Sequence, residues 1–114
     1  MSESPAAHFS LRSTNGVAIA TFVNPKVVLD VREPLYDLVE KEGHRRIILN
    51  FENVRFLSSA PIGVLIQFKR KVEAVGGTVR FCNVDPDILD VFRITSVDRL
   101  FDIHASEADA IASA

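Results

Sequence analysis

The chain has 114 residues, of which 47% are hydrophobic and 25% charged, and its formal net charge is −2. This length suits one domain with a sizeable core, so no disulfide or structural metal is needed for stability. A charge this close to neutral disfavours nucleic acid and anionic membranes as partners. The single cysteine, Cys82, lies in an apolar run, and no run is long enough to span a membrane. We therefore expect a cytoplasmic domain that does not insert into a membrane.

The elements alternate between strand and helix after a polar segment, residues 1–7, which we expect to be flexible. Asn15-Gly16 tolerates positive φ between two strand-like runs and predicts a β-hairpin. Asp30 and Glu33 have capping-box spacing and predict a helix over residues 31–42. The later predictions are a central strand at 46–51, a helix from about Ser59 to Gly76-Gly77, a strand at 78–82, a helix opened by Asp85-Pro86, a strand at 100–104 and a short helix capped by Ser106 and Asp109.

This order predicts an α/β domain over residues 8–114, with a mixed β-sheet, an N-terminal antiparallel hairpin and helices packed on the sheet. Strands separated by helices are expected to pair in parallel through right-handed crossovers. One core is expected between sheet and helices. Its predicted members are Ile47, Ile48, Leu49, Val64, Leu65, Phe68, Val79, Phe81 and Phe92.

The helix that begins near Ser59 carries two apolar groups in a helical projection. One is the stripe predicted to face the core, formed by Val64, Leu65, Phe68, Val72 and Val75. Ile62 and Ile66 lie away from this stripe, on the side of Ser59. Either a neighbouring helix covers these two isoleucines, or they form an apolar docking patch beside a serine that can be modified.

Ser58 and Ser59 stand where a short polar connection meets this helix. Hydroxyl side chains are favoured there because they accept hydrogen bonds from the unpaired N–H groups of the first turn, and Pro61 is tolerated in that turn. The simplest interpretation of the pair is therefore an N-cap. The helix dipole also favours negative charge at this point.

No pattern of residue types indicates catalysis. His8, His44 and His104 fall on a hairpin, a helix end and a strand end, so none is expected beside Ser59 as a general base. The sequence has no nucleophile elbow, phosphate-binding loop or metal-ligand spacing. We therefore expect no enzyme activity, no metal and no cofactor, and an acyl-transfer role for Ser59 is the least favoured hypothesis.

Residues 56–64, Phe-Leu-Ser-Ser-Ala-Pro-Ile-Gly-Val, together with the order of elements and Gly76-Gly77, resemble the STAS domain of bacterial anti-sigma factor antagonists. The likeness extends to residues 91–94 and 100–101. It implies the STAS fold and a module that binds a GHKL-type kinase, which is also the anti-sigma factor, with a PP2C-type phosphatase as a further partner. In this family a partner kinase phosphorylates the first serine of the signature, which corresponds to Ser59. Ser58 is the second choice for the phosphorylated residue.

The signature departs from the family at several positions. Ser58 replaces an aspartate, Ala60 a hydroxyl residue and Pro61 a glycine, while residues 23–26 replace an acidic segment. The resemblance implies partner contacts at Ser58, Ser59, Ile62, Gly63, Ile66, Asn24 and Lys26. The leading hypothesis is an anti-sigma factor antagonist switched at Ser59. The alternative is a STAS scaffold or small-ligand sensor in which Ser59 only caps a helix.

Overall fold

A computed structural model describes residues 8–113, so the segment 1–7 that was predicted to be flexible lies outside the described residues. The elements are β1 (Phe9–Thr14), β2 (Val17–Phe22), a 3-10 helix (Leu29–Val31), α1 (Arg32–Glu40), β3 (Arg46–Asn50), α2 (Ser59–Ala74), β4 (Thr78–Cys82), α3 (Pro86–Ile94), β5 (Asp102–His104) and α4 (Glu107–Ala112). The predicted order of strands and helices is confirmed. None of the helices within residues 8–113 has both the length and the hydropathy of a membrane span.

The strands of the described chain form one sheet in the order β1-β2-β3-β4-β5. β1 and β2 are antiparallel, and Asn15 and Gly16 join them with φ of 50° and 78°. Two residues with positive φ make the hairpin turn whose twist matches that of the strands. The other neighbours pair in parallel. The mixed sheet, its hairpin and the central place of β3 are therefore confirmed.

The main core lies between the sheet and helices α1, α2 and α3. Eight of the nine predicted core residues belong to it. Ile48 does not, because successive residues of a strand face opposite sides of a sheet. It packs on the other face with Val17, Ile19, Cys82 and Ala110 of α4. The prediction of a single core is wrong in this respect.

Two local predictions about helix ends are wrong. Asp30 and Glu33 form no capping box, because Asp30 lies inside the 3-10 helix and α1 begins at Arg32 without a side-chain cap. Val75 does not face the core: it is the C-cap of α2, with φ −102° and ψ 16°, and is 41% exposed. The helical projection failed there because the backbone has already left the helix.

Gly77 allows the end of α2 to lie close to the start of β3. A Cβ at this position would lie 2.2 Å from the carbonyl oxygen of Arg45 and 2.7 Å from Cγ1 of Val72. The same Arg45 oxygen accepts the N–H of Thr78 at 2.7 Å. The backbone at Arg45 therefore cannot move away from residue 77 without disturbing the pairing of β3 and β4.

We expect Gly77→Ala to lower the free energy of unfolding by about 1–3 kcal/mol through this overpacking. Gly63→Ala is the matched control, because nothing lies within 4 Å of a Cβ there. The control should be neutral or stabilising by up to about 1 kcal/mol, since alanine favours helix over glycine. Urea unfolding measures both variants, and equal losses would contradict the close approach at Gly77.

Glu107 fastens α4 to the edge strand β1. Its Oε2 lies 2.6 Å from Nη2 of Arg12. This hydrogen bond is the main reason why the pKa of Glu107 is lowered from its ordinary value of 4.5. A carboxylate with a lowered pKa stabilises the fold above the ordinary value, and the contribution is lost as the pH falls through the lowered pKa.

The free energy of unfolding should therefore depend less steeply on acid pH in Glu107→Gln than in the wild type. At pH values low enough to protonate Glu107 in both the folded and the unfolded state, the free energies of unfolding of the two proteins should change equally with pH. Urea unfolding over a series of pH values from neutral into acid measures the difference. Parallel plots of the free energy of unfolding against pH over the whole range would contradict an ionised pair of Arg12 and Glu107.

Candidate functional site

Three connections meet at the edge of the sheet where β2, β3 and β4 end, because parallel strands bring their carboxyl ends to one edge. The carbonyl of Pro25 accepts the N–H groups of Arg55 at 2.7 Å and Phe56 at 2.9 Å. Lys26 continues this contact as a parallel bridge with Phe56. The segment that contains Asn24 and Lys26 is thus fixed beside the residues leading into α2.

Ser58 is the N-cap residue of α2, with extended backbone at φ −95° and ψ 177°. Its carbonyl accepts the N–H of Ile62 at 3.4 Å, but its side chain makes no cap hydrogen bond. A capping hydroxyl bonds the second or third N–H of a helix, and the third residue here is Pro61, which has none. The predicted cap bond is therefore wrong. Ser58 and Ser59 are both exposed.

A groove runs beside this helix start. Its lining residues are the apolar Phe56, Leu57, Ile88 and Val91, and the polar Lys26, Arg55, Ser58 and Asp87. Leu57 and Ile88 are buried beneath it, whereas Phe56 is 63% exposed. Ser58 lines the groove directly, and Ser59 follows it on the first turn of α2. An exposed aromatic side chain beside two accessible hydroxyls makes this groove the candidate site.

Two positively charged side chains, Lys26 and Arg55, line the groove. Nη1 of Arg55 donates to the carbonyls of Glu52 at 3.0 Å and Val54 at 3.1 Å, and it lies 3.9 Å from Oδ2 of Asp85. Its guanidinium is therefore held to its own loop. Lys26 is exposed and has no ion pair with another residue in the described range 8–113.

The predicted docking patch of Ile62 and Ile66 is wrong for Ile62. This residue is only 4% exposed and belongs to the main core. Ile66 is half-buried and packs on that core, where it shares a small cavity with Leu100 and Phe101. The face of α2 that is buried is wider than the predicted stripe, because α1 and the sheet both pack against the helix. Gly63, by contrast, is exposed.

The histidines are distributed as the sequence predicts, and none lines the groove. Nε2 of His44 lies 3.5 Å from Oε1 of Glu42, and Nε2 of His104 lies 3.0 Å from Oδ1 of Asp102 on β5. Within residues 8–113, no three His, Cys, Asp or Glu side chains are grouped as metal ligands. The groove therefore offers hydroxyls, cations and an apolar surface, which suit recognition and modification.

Sequence reasoning missed Phe56 as a surface residue, although it lies in the quoted signature. No local pattern marked it as exposed, because the apolar residues Val54 and Leu57 of the same connection are buried. Arg55 was also missed, because only the bridge between residues 26 and 56 brings it to the groove.

Comparisons with known proteins point to one family. Residues 26–110 match the family described as the STAS domain. An anti-sigma F factor antagonist of Paenibacillus polymyxa is 21% identical over 81 residues, which cover 71% of this chain and 69% of the relative. A putative anti-sigma factor antagonist of Bordetella bronchiseptica, BtrV, is 27% identical over 73 residues, which cover 64% of this chain and 62% of the relative.

Two solved structures share the fold. The crystal structure of a putative anti-sigma factor antagonist of Thermotoga maritima superposes with a TM-score of 0.77 at 18% identity, covering 92% of each chain. The phosphorylated form of the Bacillus cell fate determinant SpoIIAA gives a TM-score of 0.68 at 24% identity, covering 92% of this chain and 97% of that one. At these identities the likeness establishes the shared architecture.

Proposed function

This chain belongs to the STAS domain family, and we propose that it is an anti-sigma factor antagonist controlled by phosphorylation at Ser59. It binds a GHKL-type kinase that is also the anti-sigma factor, and a PP2C-type phosphatase restores the unmodified form, all in the cytoplasm. The names of the two relatives support the class of partner. The observation that carries the proposal is the pair of exposed serines at the start of α2, beside the groove of Phe56.

The first turn of α2 suits a phosphorylated serine. The early N–H groups of a helix have no partners inside it, and here the side chain of the N-cap residue Ser58 does not bond them. A phosphate adds about −1.5 to −2 charges, which those N–H groups and the helix dipole stabilise. The modification therefore leaves the fold intact and changes the charge of the surface that a partner must cover.

The partner surface we propose combines the groove with the exposed start of α2. Phe56 is its apolar centre, and Lys26 and Ser58 line the groove with it. The proposed surface extends to three further exposed residues, which are Asn24, Ser59 and Gly63. Ile66 contributes only its exposed part. Ile62 supports this surface from below, because it is buried in the conformation described.

Phe56→Ser tests this surface. Exposed aromatic side chains are frequent hot spots, so we expect affinity for the kinase to fall about tenfold to a hundredfold with little change in stability. The measurement is calorimetry with the GHKL-type ATPase encoded in the same genome. Val75→Ser is the matched control, because it removes another exposed apolar side chain at the far end of α2, about 24 Å away along the helix.

Equal affinity of both variants and the wild type would remove the groove from the interface. Absence of binding by the wild type to every such ATPase of its genome would contradict the proposed partner. That result would favour the scaffold or ligand-sensing alternative, in which the serines serve no switch.

A further inference from the structure

Asn50, the last residue of β3, is a polar side chain buried in the described chain, with 1% exposure. Its Nδ2 donates to Oε2 of Glu107 at 2.8 Å and to Oε1 of Glu52 at 3.1 Å. Its Oδ1 accepts the backbone N–H of Glu52 at 2.9 Å and Nδ2 of Asn83 at 3.2 Å. A side-chain amide has two donor hydrogens and two acceptor lone pairs, so every position is used. The orientation of the amide is thereby fixed.

The partners of Asn50 belong to three separate segments. Glu52 begins the connection that carries Phe56, Ser58 and the start of α2. Asn83, held at φ 56°, begins the connection to α3, whose first turn forms the other side of the groove. Glu107 is the first residue of α4, on the opposite face of the sheet. Asn50 therefore joins α4 to both connections that form the candidate site.

The helix at the far end of this network depends on its tertiary contacts. α4 has six residues, too few to be stable without tertiary contacts. Ala110 is its buried residue, and Ile111 adds a partly buried contact with the second core cluster. Glu107 supplies polar contacts to Arg12 and Asn50. Loss of both contacts of the Glu107 side chain should therefore shift α4 towards an undocked state.

We propose that Asn50 and Glu107 form a regulatory connection, through which docking of α4 holds residues 52–58 in the conformation that presents Phe56 and Ser58. Release of α4 loosens this connection. Its regulatory meaning depends on the proposed function, since it alters the surface offered to the kinase. Thermodynamic coupling is reciprocal, so a partner seated on the groove also stabilises the docked helix.

Amide hydrogen exchange of the isolated protein, followed by NMR, tests the connection without any partner. In Glu107→Ala, we expect the amides of α4 and of residues 52–58 to exchange about tenfold faster than in the wild type. The amide of Glu52 is the most direct reporter, because it bonds Oδ1 of Asn50. The amide of Leu49 in β3 should keep its protection. Asp109→Ala is the matched control, because it also removes a carboxylate from the first turn of α4, and it should change neither segment.

Glu107→Gln keeps an oxygen that can accept from Asn50 and should restore protection of residues 52–58 to within about twofold of the wild type. Faster exchange in α4 alone would overturn the proposal, as would unchanged exchange in both segments. Failure of the glutamine variant to restore protection would assign the effect to the ion pair with Arg12 instead. Faster exchange at Leu49 as well would show general destabilisation and would also contradict the specific connection.

Calorimetry with the kinase then tests the regulatory step. Glu107→Ala should bind more weakly than Asp109→Ala by about fivefold, within the usual range of allosteric coupling. Equal affinities of the two variants would overturn regulation through α4. No binding by the wild type would count against the proposed function, while the exchange result would stand by itself.

Discussion

Phe68→Ala is expected to lower the free energy of unfolding by about 3–5 kcal/mol, a large share of the stability of a small domain. Phe68 is fully buried at the contact of α2 with α1, where its ring stacks on Tyr36 with 6.5 Å between centroids. Truncation removes this burial and leaves a cavity in the main core. Leu49→Ala, at the centre of the sheet, should lower it by about 2–5 kcal/mol.

Urea unfolding at neutral pH measures both losses. Leu29→Ala is the control, since this leucine is 54% exposed and its replacement should change stability by less than about 0.5 kcal/mol. A loss below about 0.5 kcal/mol at both Phe68 and Leu49 would contradict the main core as described.

Phosphorylation of Ser59 is expected to weaken binding to the kinase about a hundredfold, or about 3 kcal/mol, while the domain stays folded. The early N–H groups of α2 stabilise the phosphate in the free protein. An interface that covers this turn must remove water from the phosphate, and the loss persists unless a partner cation meets it. The expected effect therefore falls on binding.

Calorimetry of the wild type, its phosphorylated form, Ser59→Ala and Ser59→Asp measures this effect, with circular dichroism to confirm folding. Ser58→Ala should be milder than Ser59→Asp, because it adds no charge to the interface. Equal affinities for all of these proteins would remove Ser59 as the switch.

Patterns that act within a few residues predicted the fold well. Asn15 and Gly16 determine their turn because few residue types adopt positive φ, and Asp85 caps α3 by accepting the N–H of Asp87 at 2.9 Å. Such local preferences are carried by the residues themselves. The alternation of strands and helices was predictable for the same reason.

The site was less predictable because its contacts join distant residues. The bridge between Lys26 and Phe56 sets the groove, and Asn50 bonds Glu107 across 57 positions of the chain. The burial of Ile62 depends on elements that a projection of α2 alone does not include. Only the missing cap bond had a local signal, since Pro61 cannot donate to Ser58.

Mapping of the phosphorylated residue tests the central claim most directly. The purified chain is incubated with ATP and the GHKL-type kinase of its own genome, and the modified position is read by mass spectrometry. We expect a single phosphate on Ser59, absent from Ser59→Ala and retained in Ser58→Ala. A phosphate on Ser58 instead would contradict the assignment to Ser59, and no phosphate on either residue would contradict a phosphorylation switch in this protein.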